Sequence, residues 1–195
     1  MSPPSWALAG ARRLDLDGFA AEFSAAWSHM TSRFLKLECW QQYREADSNE
    51  SQAAFDRGDV QLATELLRRE AEADRPLYED VRARGIEYAR VRFVRPPLTD
   101  YLRYELLNYQ IRAELGENIE IVRCGPEVTL PSEQYFDFLL FDQHTALIHD
   151  YGVGEVGHQT GGWLTREPAT LGGLEETAVR LRADAESLRA FQLKG

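Results

Sequence analysis

The sequence predicts a single α/β domain in which a mixed β-sheet is flanked by helices. Three observations favour this class: helical and alternating segments follow one another in βαβαβ order, an apolar hairpin comes next, and an amphipathic helix closes the chain. Strands separated by helices are typical of sheets with right-handed crossovers. The length of 195 residues is sufficient for one hydrophobic core. We therefore assign residues 15–195 to one domain and residues 1–14 to a flexible leader.

The first elements of the domain are a helix and a strand. A helix begins at Leu16, with Asp17 as its predicted N-cap, because large apolar residues then recur at helical spacing. Residues 33–40 alternate between apolar and polar side chains, which predicts a half-buried strand. Residues 43–58 are polar and lack a clear period, so we expect either a polar excursion or a short helix there.

Two helices flank the clearest strand of the sequence. Helix formers over residues 60–73 predict a helix, and Asp74 followed by a proline predicts a restart that ends at Gly85. The strand covers residues 86–94, where apolar and polar side chains alternate. Two prolines end it, and a further helix opens at Thr99 or Asp100 and closes at a glycine, residue 116.

The second half of the chain is predicted to be mainly β-structure. Residues 136–142 are almost continuously apolar, as in a strand that is buried on both faces. A turn at Gln143 and His144 joins this strand to the next. The other predicted elements are strands at 118–124, 145–151 and 155–159 and a closing helix at 174–191.

Composition and charge restrict the class of function. The formal net charge of −10 disfavours direct binding of nucleic acid, because an acidic surface repels phosphate. Cys39 and Cys124 are the two cysteines, and both are expected to be buried, reduced thiols. The N-terminus lacks a signal-peptide pattern, and no apolar segment is long enough to span a membrane. We expect a cytoplasmic protein.

Familiar catalytic and cofactor motifs are absent from the sequence. Gly152, Gly154 and Gly157 have the spacing of a dinucleotide fingerprint, but they lie between predicted strands and indicate a hairpin turn instead. His149, Asp150 and His158 could bind a metal in principle, yet ordinary hairpin positions are the favoured interpretation. No metal or cofactor is therefore predicted.

One dense group of polar residues lies between Tyr88 and Arg112. Arg90 and Arg92 share a strand face, and that strand leads into a helix with a second polar stripe. Ligands of open α/β sheets usually bind beyond the carboxyl ends of strands, so a small anionic or polar ligand is one interpretation. The other is an ion-pair network in which the two arginines meet Asp100 or Glu105. The candidate ligand-binding residues here are Arg90, Arg92, Tyr101, Arg103 and Asn108.

The same group also allows an enzyme of group transfer or hydrolysis. The arginines would bind an anionic substrate, and Glu105 or Asp100 would act as the general base. His149 is a further acid–base candidate. A third hypothesis is a homodimer with an aromatic interface that includes Trp40 and Trp163.

Several motifs resemble an actinobacterial family of unknown function. They are Arg90-Val-Arg92, the run Pro-Leu-Thr-Asp-Tyr-Leu-Arg-Tyr-Glu at 97–105, Gly116-Glu117, and Asp-Phe-Leu-Leu-Phe-Asp at 137–142. Members of that family often accompany helix-turn-helix regulators in small gene clusters. Together with the absent catalytic motifs and the acidic surface, this gene company favours a non-catalytic regulatory or small-ligand-binding domain that acts with such a partner. The segment 161–163 departs from the family pattern, which is usually acidic there.

The last third of the chain is also similar to half of a phospholipase-D-like domain. That superfamily carries a His-x-Lys pair on a buried strand, and its spacing falls on Tyr135 and Asp137 in this sequence. Neither residue can replace the histidine nucleophile or the phosphate-binding lysine. The resemblance implies a repurposed fold in which these two positions contact a ligand, and it implies pairing of two copies.

Overall fold

Eight strands form one mixed sheet in the computed structural model, which describes residues 3–44, 49–152, 154 and 156–192. In chain order the strands are β1 (Arg12–Leu14), β2 (Arg33–Glu38), β3 (Glu87–Val94), β4 (Ile119–Arg123), β5 (Phe138–Phe141), β6 (Thr145–Asp150), β7 (Gly161–Thr165) and β8 (Glu186–Ser187). Their order across the sheet is β1-β7-β6-β5-β2-β3-β4-β8. The central strands β2, β3 and β4 are parallel, and all other pairs are antiparallel. The predicted fold class is confirmed.

Six helices connect these strands within the described ranges. They are α1 (Leu16–His29), α2 (Glu50–Asp56), α3 (Val60–Ala83), α4 (Asp100–Glu114), α5 (Pro168–Arg182) and α6 (Leu188–Gln192). The helices α2 and α3 form the crossover from β2 to β3, and α4 forms the crossover from β3 to β4. The predicted βαβαβ order is therefore present at the centre of the sheet.

Capping side chains fix where four of the helices begin. Thr99 accepts a hydrogen bond from the Leu102 amide at 3.1 Å, which confirms the predicted start of α4. Asn49 and Asp59 cap α2 and α3 in the same way. The N-cap of α1 is Asp15 and not Asp17 as the sequence suggested, because the Asp15 carboxylate is the group that accepts from a first-turn amide.

Two further boundaries differ from the sequence predictions, and one segment follows its helical alternative. Helix α3 does not restart at Asp74: it continues through Pro76, whose side chain faces solvent, because Leu67 and Tyr78 anchor it on both sides of the proline. Helix α2 is the short helix that was one of the two expectations for segment 43–58, of which residues 45–48 lie outside the described ranges. The closing helix is divided into α5 and α6 by strand β8.

The sequence predicted a strand at 155–159, but the described part of that segment contains none. The strand that pairs with β6 is instead β7, at 161–165. Gly157 only bridges Tyr43, and a Cβ atom on Gly157 would lie 2.9 Å from the Trp40 ring. Within β7, a Cβ atom on Gly162 would lie 2.3 Å from the Ile148 carbonyl oxygen. Glycine is required at this close backbone approach, so β7 lacks the β-branched composition that marks a strand in sequence.

Residues 3–14, which the sequence assigned to a flexible leader, contact the domain. They include β1, which pairs with β7, and the fully buried Ala7. Trp6 packs edge-on against Phe136 with ring centroids 6.0 Å apart. The N-terminal segment therefore covers one edge of the sheet.

The helices form a layer on each face of the sheet. Helix α5 packs on one face, where buried side chains include Leu37, Val91 and Leu174. Helices α1, α3 and α4 cover the other face. The two cysteines are buried and unpaired, as predicted. In the described ranges no helix is long and apolar enough to cross a membrane.

Candidate functional site

A polar cavity of about 300 Å³ interrupts the apolar layer between the sheet and helices α1, α3 and α4. Alternation along the strands creates it, since every second side chain of β2 and β3 points to this face. Helix α4 adds a polar stripe at helical spacing. The cavity is lined by Lys36, Glu38, Trp40, Tyr43, Asp74, Arg90, Arg92, Tyr101, Glu105, Asn108, Arg112, Asp137, His149, Tyr151 and Gln159.

Arg90 is held by two carboxylates at the base of the cavity. Its Nη1 atom donates to Glu38 at 2.9 Å, and its Nε atom donates to Glu117 at 2.5 Å. Its guanidinium also lies 5.3 Å from the centre of the Tyr109 ring. Glu38 and Glu117 balance the positive charge of Arg90. Arg90 is therefore a structural cation that joins β2, β3 and the segment after α4.

Among the carboxylates that line the cavity, Glu38 has the most ion-pair and hydrogen-bond partners. In addition to Arg90, it accepts from the Lys36 ammonium at 2.7 Å and from the Tyr109 hydroxyl at 2.7 Å. Burial alone would raise its pKa, but Arg90 and Lys36 outweigh that effect and hold the pKa of Glu38 well below its ordinary value. Glu38 is therefore ionised.

Arg92 differs sharply from Arg90 although it lies two residues further along the same strand. It is 2% exposed, and its Nη2 atom donates to the Trp40 carbonyl oxygen. Its Nε atom is buried without a hydrogen-bond partner. No carboxylate oxygen of a described residue lies within 4.0 Å of its nitrogen atoms, and its guanidinium lies 5.5 Å from the centre of the Tyr101 ring. Arg92 is therefore a buried cation without a direct ion pair among the described residues, although Glu38, Glu105 and Asp137 are near enough to favour its charged form.

His149 provides a second set of unused polar atoms. Neither ring nitrogen has a hydrogen-bond partner, although Gln159 is close enough to favour the charged ring slightly. Burial lowers the pKa of His149 to about 3, and Lys36 acts in the same direction. The ring stacks on Tyr151 with 5.4 Å between ring centroids and a 5° angle. At neutral pH His149 is an uncharged donor and acceptor in the cavity wall.

Two buried carboxyl groups of the cavity have raised pKa values. Burial raises the pKa of Asp137 to about 6, against the lowering effects of the Arg92 charge and of hydrogen bonds from the Cys39 amide at 2.6 Å and the Tyr151 hydroxyl at 2.9 Å. Burial, and then the negative charge of Glu38, raise the pKa of Glu105. Both groups therefore gain and lose protons at a pH closer to neutral than an exposed carboxyl group does.

The cavity contains most of the residues predicted as a site, but three lie elsewhere. Asp100 and Arg103 pair with each other at 2.6 Å on the outer side of α4, where the Asp100 side chain is 83% exposed. Thr99 sets the start of α4, and this start turns both side chains away from the sheet. Tyr135 packs against Phe93 in the core beneath α5. The predicted residues that line the cavity are Arg90, Arg92, Tyr101, Glu105, Asn108, Asp137 and His149.

The predicted ion-pair network is present for Arg90 but has other partners. Arg90 pairs with Glu38 and Glu117 rather than with Asp100 or Glu105. The signal for Glu38 was available, because the alternation of β2 places it on the polar face with Lys36. Other lining residues missed from the sequence include Asp74, whose position depends on the unbroken α3, and Tyr151 and Gln159, which follow β6.

The metal hypothesis for the hairpin has no geometric support in the described ranges. No three His, Cys, Asp or Glu side chains are grouped there as metal ligands. Asp150 instead accepts a hydrogen bond from Arg13 at 2.6 Å and one from the Gly152 amide at 2.9 Å.

The fold and the cavity together define an α/β domain with a polar, ligand-sized pocket on one face of its sheet. The chain belongs to the family described as "Domain of unknown function (DUF6879)", which matches residues 21–193. This confirms the expectation of a family of unknown function. No curated protein matches the sequence.

One solved structure with a distant likeness is that of TrmBL2, described as an archaeal chromatin protein that shows a novel mode of DNA binding. The identity is 12% and the TM-score is 0.41. The match covers 90% of this chain and 53% of TrmBL2, so the chain spans about half the length of that protein. A likeness this distant carries no argument about function.

Proposed function

We propose that this domain binds a small molecule through an anionic group that pairs with Arg92 in the polar cavity. The supporting observation is the contrast between Arg90 and Arg92. Two carboxylates pair directly with Arg90, whereas Arg92 is more fully buried and has one backbone carbonyl as its hydrogen-bond partner. A buried charge without a counter-ion costs several kcal/mol. Glu38, Glu105 and Asp137 offset part of that cost without a direct ion pair, and a bound anion in direct contact with Arg92 would offset more of it.

The remaining walls of the cavity suit a ligand with further polar groups. His149 offers two unused nitrogens, and Asn108 and Gln159 offer amide groups. Trp40, Tyr43 and Tyr151 form an aromatic wall with ring centroids 5.1 to 5.5 Å apart. A volume of about 300 Å³ lies at the lower end of the range for small-molecule pockets.

A regulatory role with a helix-turn-helix partner is the cellular part of this proposal. It is supported by the family resemblance of the 90–105 motifs, and by a charge of −10 that favours contact with a basic protein over contact with DNA. Two unpaired cysteines fit a cytoplasmic setting. Co-purification of the chain with a regulator encoded beside it tests this part. A regulator that never co-elutes, with or without ligand, would contradict it.

Acid–base catalysis on the bound molecule is a second candidate, favoured by the raised pKa values of Asp137 and Glu105 in the cavity wall. Either group could move a proton to or from a ligand held by Arg92. The chemical fate of a bound compound separates the two functions. A compound recovered unchanged after long incubation indicates a binding domain, and one that the wild type alters but that is recovered unchanged after replacement of Asp137 or Glu105 indicates an enzyme.

A thermal-shift screen against acetate, succinate, citrate, phosphate and sulfate tests the binding proposal. We expect at least one anion to raise the Tm of the wild-type chain in a concentration-dependent way. Arg92→Gln should abolish that shift, and Arg92→Lys should retain part of it. Arg103→Gln removes an arginine outside the cavity and is the matched control. An equal shift in the wild type and Arg92→Gln, or no shift with any anion, would overturn the proposal.

A further inference from the structure

A second cavity, of about 220 Å³, adjoins the polar cavity beneath α1 and α3. The two cavities share one wall, formed by Lys36, Asp74, Arg90, Arg112 and His149. The rest of the second cavity is mainly apolar, and its lining contains Phe19, Phe23, Trp27, Phe34, Leu77, Tyr78, Tyr88 and Leu139.

The two central strands run from the apolar cavity into the polar one in the same order. Along β3, Tyr88 lines the apolar cavity, Arg90 lines both and Arg92 lines the polar cavity. Along β2, Phe34 lines the apolar cavity and Lys36 lines both. Because a strand rises by roughly 3.3 Å per residue, the distance from Tyr88 to Arg92 along β3 is about 13 Å.

The shared wall does not expose unpaired charge to the apolar side. Lys36 and Arg90 are compensated by Glu38 and Glu117, and Arg112 pairs with Asp74 at 2.6 Å. The aliphatic parts of Lys36 and Arg90 can therefore border an apolar group while their charged ends stay paired. His149 contributes a neutral ring to the same wall, packed against Phe19 with ring centroids 4.9 Å apart.

We propose that one amphipathic ligand occupies both cavities, as a monocarboxylate with an aliphatic or aromatic tail. The carboxylate lies at Arg92 and the tail extends along β3 towards Tyr88. This inference rests on the proposed function, because it assigns the anionic end to Arg92. It adds the chemical class of the ligand and its orientation. The aromatic rings of the second cavity, such as Phe34 and Tyr88 stacked at 5.2 Å, form the binding surface for the tail.

Calorimetric titration with acetate, hexanoate, octanoate and 1-octanol tests the inference. Each methylene buried should tighten binding by about fourfold, so octanoate should bind about fifteenfold more tightly than hexanoate. Octanol lacks the carboxylate and should bind far more weakly than octanoate. Leu77 is 40% exposed, so Leu77→Trp can narrow the apolar cavity without disturbing the core. Leu62→Trp, at an exposed position of the same helix outside either cavity, is the matched control.

Four outcomes are distinguishable. Support requires that affinity rises with chain length, that Leu77→Trp weakens octanoate at least tenfold, and that Leu62→Trp does not. If acetate and octanoate bind equally well and Arg92→Gln abolishes the binding of both, the proposed position of the tail in the apolar cavity is wrong but the anion site stands. Phosphate or a dicarboxylate binding through Arg92 without any monocarboxylate would do the same. No Arg92-dependent binding of any anion would overturn both proposals.

Discussion

Arg90 and Glu117 form an ion pair beneath the cavity, with 2.5 Å between Nε and the carboxylate oxygen and no exposed surface on the Glu117 side chain. The hydroxyls of Tyr78 and Tyr88 donate to the same carboxylate at 2.6 and 3.0 Å. These contacts join α3, β3 and the segment after α4. Burial opposes ionisation, but Arg90 and the hydrogen bonds hold the pKa of Glu117 below its ordinary value. The group is a structural centre, in contrast to Arg92.

Replacement of Glu117 should therefore destabilise the fold strongly. Glu117→Gln keeps the shape but removes a buried counter-charge of Arg90, and we expect a loss of about 3–5 kcal/mol in the free energy of unfolding. Urea denaturation followed by circular dichroism measures it. Glu114→Gln, at an exposed position near the end of α4, is the control and should lie within about 0.5 kcal/mol of the wild type. A Glu117→Gln variant as stable as this control would contradict the structural role.

Removal of Arg92 should have a much smaller effect on the stability of the free protein. Arg92→Met removes a buried cation without a direct ion pair but also its favourable action on Glu38, Glu105 and Asp137, so we expect the free energy of unfolding of the ligand-free variant to lie within about 1–2 kcal/mol of the wild type. The same variant should show no anion-dependent rise in Tm. Denaturation in a buffer free of carboxylates and phosphate measures the first effect. Destabilisation by several kcal/mol would indicate that Arg92 is a scaffold residue like Arg90.

Asp137 should make stability depend on pH in a defined direction. Burial raises the pKa of Asp137 to about 6, so the native state favours the protonated form. Its contribution is fully present below the unfolded pKa of about 4 and is lost as the pH rises through 6. The loss is about 3 kcal/mol at most. Asp137→Asn mimics the protonated group and should flatten this part of the stability profile. Identical profiles of the two proteins from pH 4 to 8 would refute the assignment.

The ionised carboxylate of Asp142 should stabilise the contact between the β5–β6 turn and the start of β2. Its carboxylate accepts from the amides of Thr31, Ser32 and Arg33 at 2.8–2.9 Å. These amide bonds overcome the effect of partial burial and hold the pKa of Asp142 well below its ordinary value. We expect Asp142→Ala to cost about 2–4 kcal/mol at pH 7.

The pH dependence of the stability lost in Asp142→Ala distinguishes the effect of the carboxylate charge from that of side-chain packing. A lowered native pKa gives stability that is present above the unfolded pKa and is lost as the pH falls towards the native one. The difference between wild type and Asp142→Ala should therefore shrink in acid. Asp184→Ala, at an exposed site, is the control in denaturant titrations at pH 7 and pH 3. A deficit that is the same at both pH values would contradict the account.

The central sheet was predictable because its signals are local. Alternation identified β2 and β3, and a cap with two preceding prolines identified α4. β7 was not predicted because two of its residues, Gly161 and Gly162, have low strand propensity. Glycine is needed at both positions because neighbouring backbone leaves no room for a side chain. Pro76 suggested a helix break, but packing of α3 on both sides of it overrides the local preference.

The candidate site was predictable in part for the same reason. The arginines of β3 and the polar stripe of α4 are adjacent in sequence and periodic, so Arg90, Arg92, Glu105 and Asn108 could be identified together. The partners that decide their roles are distant in the chain. Glu38 and Glu117 compensate Arg90 and not Arg92, and only the sheet register and the end of α4 determine that difference.

A crystal structure of the protein soaked in octanoate and, separately, in phosphate would show whether Arg92 binds an anion in the polar cavity. We predict density for an anionic group within hydrogen-bond distance of the Arg92 Nε atom, with Arg90 still paired to Glu38 and Glu117. Water alone at Arg92 in both soaks, or an anion held by surface residues instead, would contradict the assignment of this cavity as a ligand site.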